Sequence, residues 1–336
     1  MRFPHPALVC DIGGTNTRVA ILLQPGESID LLAHLKTADF PDLGAAIEAA
    51  LKSSPAPAKT MIACGAGPIT GRSLHLTNAA WTIDGPALAD RLGLTQGLLL
   101  NDFEAQALSL PALRSEWLRP IGEAVSDASG TRVVLGPGTG LGVAALLLSQ
   151  GRFLPLSSEA GHMGFGPSSA DEEQFWPHLE RVDGRISAEA VISGPGLVRV
   201  HKARAAAAGR PIPQIDGVAI VDRALQAREG EEAQTVRAFW RLVARFAGDM
   251  AITFLARGGV TFGGGVLPRM IDLLDAAQFR RDFEAKAPMD ALARSIPTQL
   301  VAAPDAVLAG MAAIAADPDR YAIDYASRVW RPDQAA

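Results

Sequence analysis

The chain has 336 residues, 48% hydrophobic and 20% charged, with a net charge of −5, a composition that fits a folded protein with room for two domains. No long basic run supports a nucleic-acid surface, and no apolar stretch approaches the roughly 20 residues that span a bilayer. The two cysteines, Cys10 and Cys64, lie inside apolar runs, so a disulfide framework is not indicated and a reducing compartment fits. Together with an N-terminus, Met1-Arg2-Phe3-Pro4-His5-Pro6, too short and proline-rich for a signal peptide, this points to the cytoplasm.

In chain order, Ala7 to Ile12 reads as a buried strand that stops at Gly13-Gly14. Thr17 to Leu23 continues as a second strand and Ile29 to Lys36 as a third, making a meander. The spacing of Leu43, Ile47, Ala50 and Leu51 predicts a helix over 42–52. Thr60 to Ala66 is a buried strand, and Leu98 to Leu100 is a short strand ending at Asn101-Asp102. Phe103 to Leu110 starts a helix that Pro111 stops. Asp102 therefore falls at the carboxyl end of a strand, where open α/β sheets hold ligands.

The theme then repeats. Arg132 to Leu135 leads into Gly136-Pro137-Gly138-Thr139-Gly140-Leu141-Gly142, and Leu141 to Leu148 returns as a strand. Residues 155–167, rich in small and polar types, read as a loop, and Ala188 to Ile192 begins a helix interrupted by Ser193-Gly194-Pro195-Gly196. An apolar stripe from Val236 to Phe254 predicts a helix over 235–257, ended by Gly258-Gly259. Val260 to Phe262 is a strand, Gly263-Gly264-Gly265 a third glycine turn, and a helix follows from near Pro268. Asp305 to Ala316 is an Ala-rich helix, after which the polar, aromatic tail is either a docked helix or a partly disordered end. The chain thus reads as two α/β units whose duplication lies in architecture rather than in sequence.

A strand that stops at a glycine turn presents backbone N–H groups that suit phosphate oxygens. Two such turns, over a hundred residues apart, imply two half-folds that grip one polyphosphate. Neither is a P-loop, since the chain has no Gly-Lys pair, and neither fits GxGxxG. Asp11 is either a turn residue or an acid near phosphate-bound magnesium, which needs few protein carboxylates; Thr15 and Asn16 add donors. Asp102 is either a helix N-cap or the carboxylate that accepts a hydroxyl proton during phosphoryl transfer. Glu159 and His162 have a spacing that can hold a metal on a helix, but their Pro/Gly-rich surroundings favour a polar pocket for sugar hydroxyls. Glu189 is locally an ordinary helix acid, and Trp81 reads as core.

In combination, Asp11 to Arg18 (DIGGTNTR), Asn101 to Ala105 (NDFEA), Gly138 to Val143 (GTGLGV), Glu159 to His162 (EAGH), Ser187 to Leu197 (SAEAVISGPGL) and Gly263 to Pro268 (GGGVLP) resemble bacterial glucokinases of the proteobacterial type, within the actin-like sugar kinases. The resemblance implies an α/β fold of two ribonuclease-H-like domains with a sugar in the cleft between them. It places a small domain at 1–112, with 303–336 packing back on it, and a large domain at 113–302. It implies phosphorylation of glucose at the 6-hydroxyl, with ATP and Mg2+ as cofactors and Asp102 as the base. Sugar contacts would be Asn101, Asp102, Glu159, His162 and Glu189, with Asn78 nearby. The phosphate side would be Asp11, Gly13, Gly14, Thr15, Asn16, Gly138, Thr139 and Gly140, with Asp11 reaching Mg2+ through water; Gly264 and Gly265 would face the adenosine. The expected partners are a small sugar and a second copy of the chain, with neither nucleic acid nor membrane. The chain departs from the pattern at Gly164, where an acid is expected, and in its tail beyond 317. Two scattered cysteines cannot supply the zinc motif of the related repressor group, and no DNA-binding helix-turn-helix precedes the first strand. Rival readings are a kinase for another hexose or hexosamine, a sugar sensor without catalysis, and an actin-like structural protein.

Overall fold

The first apolar run forms β1 (Ala7–Ile12), whose residues are nearly all buried, as a strand covered on both faces requires. The computed structural model describes residues 1–77 and 79–332. β1 belongs to the first of two units, which comprises Met1–Trp117, Leu146–Leu156 and Ala303–Ala336. β2 (Asn16–Leu22) pairs antiparallel with β1, and β3 (Asp30–Lys36) with β2, completing the expected meander. α1 (Leu43–Leu51), capped by the Asp42 side chain, leads to β4 (Thr60–Gly65), which runs parallel to β1. A small separate sheet holds β5 (Ile69–Thr70), β6 (Ser73–His75) and β7 (Thr82–Asp84). After α2 (Gly85–Leu92), β8 (Gln96–Asn101) pairs parallel with β4 and passes directly into α3 (Asp102–Ser109). The register aligns Ile12, Gly65 and Asn101 across the three strand ends.

The other unit, Leu118–Ala145 with Ser157–Ala302, repeats the plan. Its sheet uses β9 (Leu118–Ile121), β10 (Arg132–Pro137), β11 (Leu141–Ser149) and β12 (Arg152–Ser158). Helices α4 (Ala170–Phe175), α5 (Ala188–Val191), α6 (Gly194–Ala207), α7 (Gly217–Gln226) and α8 (Glu231–Thr253) follow. Then come β13 (Gly259–Phe262), α9 (Ala276–Glu284), α10 (Asp290–Ser295) and β14 (Thr298–Val301). The chain returns to the first unit through α11 (Ala306–Ala316), α12 (Tyr325–Arg328) and β15 (Val329–Trp330).

The two sheets run β3-β2-β1-β4-β8-β15 and β12-β11-β10-β13-β14-β9. Each has three parallel strands at its centre, an up-and-down hairpin on one side and an antiparallel edge strand on the other. This is the ribonuclease-H-like α/β arrangement of the actin-like fold, used twice. Leu146–Leu156 groups with the first unit, although the expected range for the large half, 113–302, includes it.

Several local expectations are corrected. Residues 155–158 are strand, because Pro155 sits in β12 at the sheet edge, where its missing N–H breaks no ladder. The break expected at Ser193 is present, since α5 ends at Val191, and a new helix follows at once: the Ser193 hydroxyl accepts the Gly196 amide at 3.0 Å and caps α6. The long helix starts earlier, at Glu231, and ends at Thr253. Leu255, at φ 47°, supplies the left-handed residue there, while Gly258 is needed for packing, since a Cβ on it would lie 2.4 Å from the Gly130 carbonyl.

The tail is docked, and as a strand as well as a helix: Val329 pairs with Leu98 and Trp330 with Gly97. Trp330 is completely buried, and a Cβ on Gly97 would lie 2.1 Å from its ring. Trp81 is core as expected, with its Nε1 donating to the Phe40 carbonyl at 3.2 Å. Among the described residues no helix is long and apolar enough to cross a membrane. Truncating a fully buried Trp leaves a large cavity, so Trp330→Ala is expected to destabilise the protein by about 3–5 kcal/mol in denaturant unfolding. An unchanged transition would contradict the assignment of the tail to the core.

Candidate active site

In the first unit, three parallel strands deliver chemistry at their carboxyl ends. Asp11, near the end of β1, lies opposite Arg18 on β2. The Arg18 guanidinium pairs with the Asp11 carboxylate, donates to the Pro304 carbonyl and approaches Asp305 at 3.5 Å. On β4, the Cys64 thiol donates to Asp11 Oδ1 at 3.5 Å. Burial, reinforced by the Asp11 charge, pushes that thiol well above its usual range, so it is no nucleophile. Beyond Asp11 the first glycine turn is tied back on itself: the Gly13 amide donates to the Asn16 carbonyl at 2.8 Å, and Thr37 Oγ1 donates to the Gly13 carbonyl at 2.7 Å. The amides of Gly14 and Thr15 make no backbone hydrogen bond among the described residues.

At the end of β8, Asn101 is the N-cap of α3. Its Oδ1 accepts the Phe103 and Glu104 amides at 3.0 and 3.3 Å, and Glu104 Oε2 accepts the Asn101 amide at 3.4 Å, a reciprocal capping box. Asn101 Nδ2 donates to the Gly67 carbonyl at 3.3 Å. The capping alternative for Asp102 is therefore taken by its neighbour, which leaves Asp102 as the first helical residue. Burial pushes the Asp102 carboxyl above the ordinary carboxylate range; the Phe103 amide works against this, and the Asp11 charge adds to it. A carboxylate raised toward working pH is a stronger base when ionised.

In the second unit, the Gly138 amide donates to the Gly140 carbonyl and the Gly194 amide to the Gly138 carbonyl, each at 2.8 Å. The second and third glycine turns pack together: a Cβ on Gly136 would lie 2.6 Å from the Gly263 carbonyl, and one on Gly264, at φ 80°, would lie 2.9 Å from the Pro137 carbonyl. At Gly138 and Gly265 a Cβ would meet nothing within 4 Å. The fold itself does not demand glycine there, but close approach by a ligand would.

Glu159 follows the end of β12, and Ala160–His162 form one 3-10 turn. Glu159 Oε2 and His162 Nε2 lie 3.7 Å apart, with the two side chains 90% and 59% exposed. Gly161 holds this turn against β11, since a Cβ there would lie 2.1 Å from the Leu141 carbonyl. Glu189, on the short helix α5, accepts the Leu141 amide at 2.8 Å and so braces the second glycine turn. A cavity of about 330 Å³ brings Thr139, His162 and Glu189 together with Arg185, Ser187 and Arg199. Glu159 is not in its lining, and Arg185 donates to the His162 carbonyl at 2.7 Å. At Gly164, the missing acid leaves a position whose Cβ would meet only the Arg185 guanidinium, at 3.9 Å.

Asn78 lies outside the described residues. Among the described residues no three His, Cys, Asp or Glu side chains cluster to hold a metal. A magnesium ion on a triphosphate takes most of its ligands from phosphate and water, and Asp11, already engaged by Arg18 and Cys64, fits contact through water. Sequence reasoning passed over Thr37 and Arg185, which carry no local signal. It also passed over Glu104, although its spacing three residues after Asn101 is that of a capping box.

Residues 8–318 match the family model described as Glucokinase. The chain is 39% identical to the glucokinase of Rhizobium etli over 330 residues, covering 98% of this chain and 96% of the relative. The crystal structure of a glucokinase from an Antarctic psychrotroph shares 31% identity at a TM-score of 0.82, covering 91% of this chain and 97% of that one. A ROK family glucokinase from Streptomyces griseus, in complex with glucose and AMPPNP, shares the fold at a TM-score of 0.61 and 21% identity, covering 91% and 97%. Matched along nearly its whole length in sequence and in fold, the chain belongs to the glucokinase family.

Proposed function

We propose that this chain transfers the terminal phosphoryl group of ATP to the 6-hydroxyl of glucose, giving glucose 6-phosphate and ADP, with Asp102 as the base. The observation that carries the assignment is the state of Asp102: a half-buried carboxylate at a strand end, relieved of capping by Asn101 and raised by desolvation and by Asp11. Such a group accepts the hydroxyl proton as the oxygen attacks phosphorus in line. Gly14, Thr15 and Asn16 on one turn, and Thr139 and Gly140 on the other, hold the phosphates through amide and side-chain donors, while Gly13 and Gly138, whose amides close their own turns, keep the backbone bare for the phosphates to approach. On the adenosine side, Gly265 leaves open space, and Gly264 lets the third turn close against the second. Mg2+, reached by Asp11 through water, would offset the phosphate charge. Glu159, His162 and Glu189 hold ring hydroxyls, with Asn101 and Asn78 completing the sugar set. Holding the two reactants together supplies roughly 7–11 kcal/mol of the barrier. Two buried free thiols favour the cytoplasm, and the family resemblance carries a homodimer with it.

The broadest test is ADP release with ATP, Mg2+ and a panel of hexoses. Turnover with glucose is expected. Turnover only with another hexose would move the assignment to that sugar, and saturable sugar binding without turnover would make the chain a sensor.

Asp102→Asn is expected to lower kcat by about 10²- to 10⁴-fold; a near wild-type rate would remove Asp102 as base. The same group carries a stability signature. A carboxyl whose folded pKa is raised binds its proton more tightly when folded, so its ionisation lowers stability as pH rises through the folded pKa. Asp102→Asn is therefore expected to melt at or above the wild-type temperature at pH 7, with the difference shrinking in acid. A lower melting temperature at pH 7 would contradict the raised carboxyl.

Glu159→Gln and His162→Ala are expected to raise KM for glucose more than KM for ATP, because each leaves a sugar hydroxyl badly paired. Unchanged steady-state constants would exclude both residues from the sugar site.

A further inference from the structure

The tail beyond the matched family region, which ends at residue 318, reaches the turn that carries Asp102. α12 ends at Arg328, and β15 follows at once, anchored by the buried Trp330 beside β8. The Arg328 guanidinium makes a two-pronged pair with Glu104, Nη1 to Oε1 at 2.6 Å and Nη2 to Oε2 at 2.8 Å. Nη2 also donates to the Leu99 carbonyl on β8 at 2.9 Å. Glu104 in turn accepts the Asn101 amide and completes the capping box that opens α3. One guanidinium thus grips the strand before Asp102 and the first helical turn after it. Both side chains are largely buried, 21% and 10% exposed, so the pair is geometrically constrained in a way that an exposed ion pair is not.

We propose that Arg328 is a positioning residue for Asp102, acting through Glu104. The inference rests on the reading of Asp102 as the base. The tail closes the edge of the first sheet and, in the same docking, fixes the direction of the Leu99-to-Glu104 turn. Arg328 touches no reacting atom. Loss of the fork frees Glu104 to leave the Asn101 amide and lets the first turn of α3 shift.

The experiment is a double-mutant cycle read in kcat. Arg328→Ala is expected to lower kcat by about 10- to 100-fold with KM for ATP changed less than about 2-fold, because displacements of an ångström at a reacting group have effects of that size. In the Asp102→Asn background the same substitution is expected to lower kcat less than about 3-fold, since the group it positions is already gone. Arg328→Lys, which keeps the charge without the planar fork, should fall between wild type and Arg328→Ala. A folded Arg328→Ala with kcat within about 3-fold of wild type, or the same fractional loss in both backgrounds, would overturn the inference. Circular dichroism verifies folding, and if Arg328→Ala does not fold, Glu104→Gln is put through the same cycle with the same two outcomes. Asp102→Asn by itself separates the two ideas: a near wild-type rate there overturns the base, whereas an inactive Asp102→Asn beside an unaffected Arg328→Ala overturns only the positioning role.

Discussion

The in-register parallel pairing of β1, β4 and β8 is the constraint on which the surroundings of Asp102 in the first unit depend. It ends three strands at one level, so that Asp11, Cys64 and the Asn101-Asp102 turn share a small volume. A desolvated carboxylate next to a second one resists ionisation, and Asp102 shows the effect in its raised carboxyl. Arg18 compensates the neighbour, Asp11, through direct pairing. Desolvation thus disfavours the charged form of Asp102, at a place where packing alone would favour a neutral residue.

The second unit repeats the strand order without repeating the residues. β14, the counterpart of β8, leads into Ala302-Ala303-Pro304, with no acid at the equivalent place. Instead, this half carries two glycine turns packed against each other and a cavity that joins Thr139, His162 and Glu189. Glu189 links the glycine turn to the cavity, because its carboxylate holds the Leu141 amide while also lining the cavity. One backbone plan thus carries two different sets of side chains at its strand ends, since strand order and glycine positions set only the plan.

Much of this was legible in the chain. The strands around the glycine turns are short apolar runs bounded by breakers, and their type is set locally, as Ala7 to Ile12 and Arg132 to Leu135 illustrate. The three glycine turns and the Asn101-Asp102 turn were legible for the same reason. Pro155 misled because its tolerance depends on lying at a sheet edge, which is a tertiary fact. Leu255 misled because it takes a backbone conformation more often assigned to glycine. The pairing of Arg328 with Glu104 spans 224 residues and leaves no periodic or compositional trace. Nor could single-sequence patterns tell whether Asp102 capped its helix, because that turned on which of two adjacent polar residues took the role.

With Asp102 as the base, turnover must follow the charge of a carboxyl held above the ordinary carboxylate range. The most direct measurement is a pH titration of the Asp102 carboxyl by carbon-13 NMR, set against the acid limb of kcat/KM for glucose. The resonance is expected to titrate above those of the other aspartates, with its midpoint coinciding with the limb. A carboxyl titrating in the ordinary range, or a limb that persists unmoved in Asp102→Asn, would contradict it.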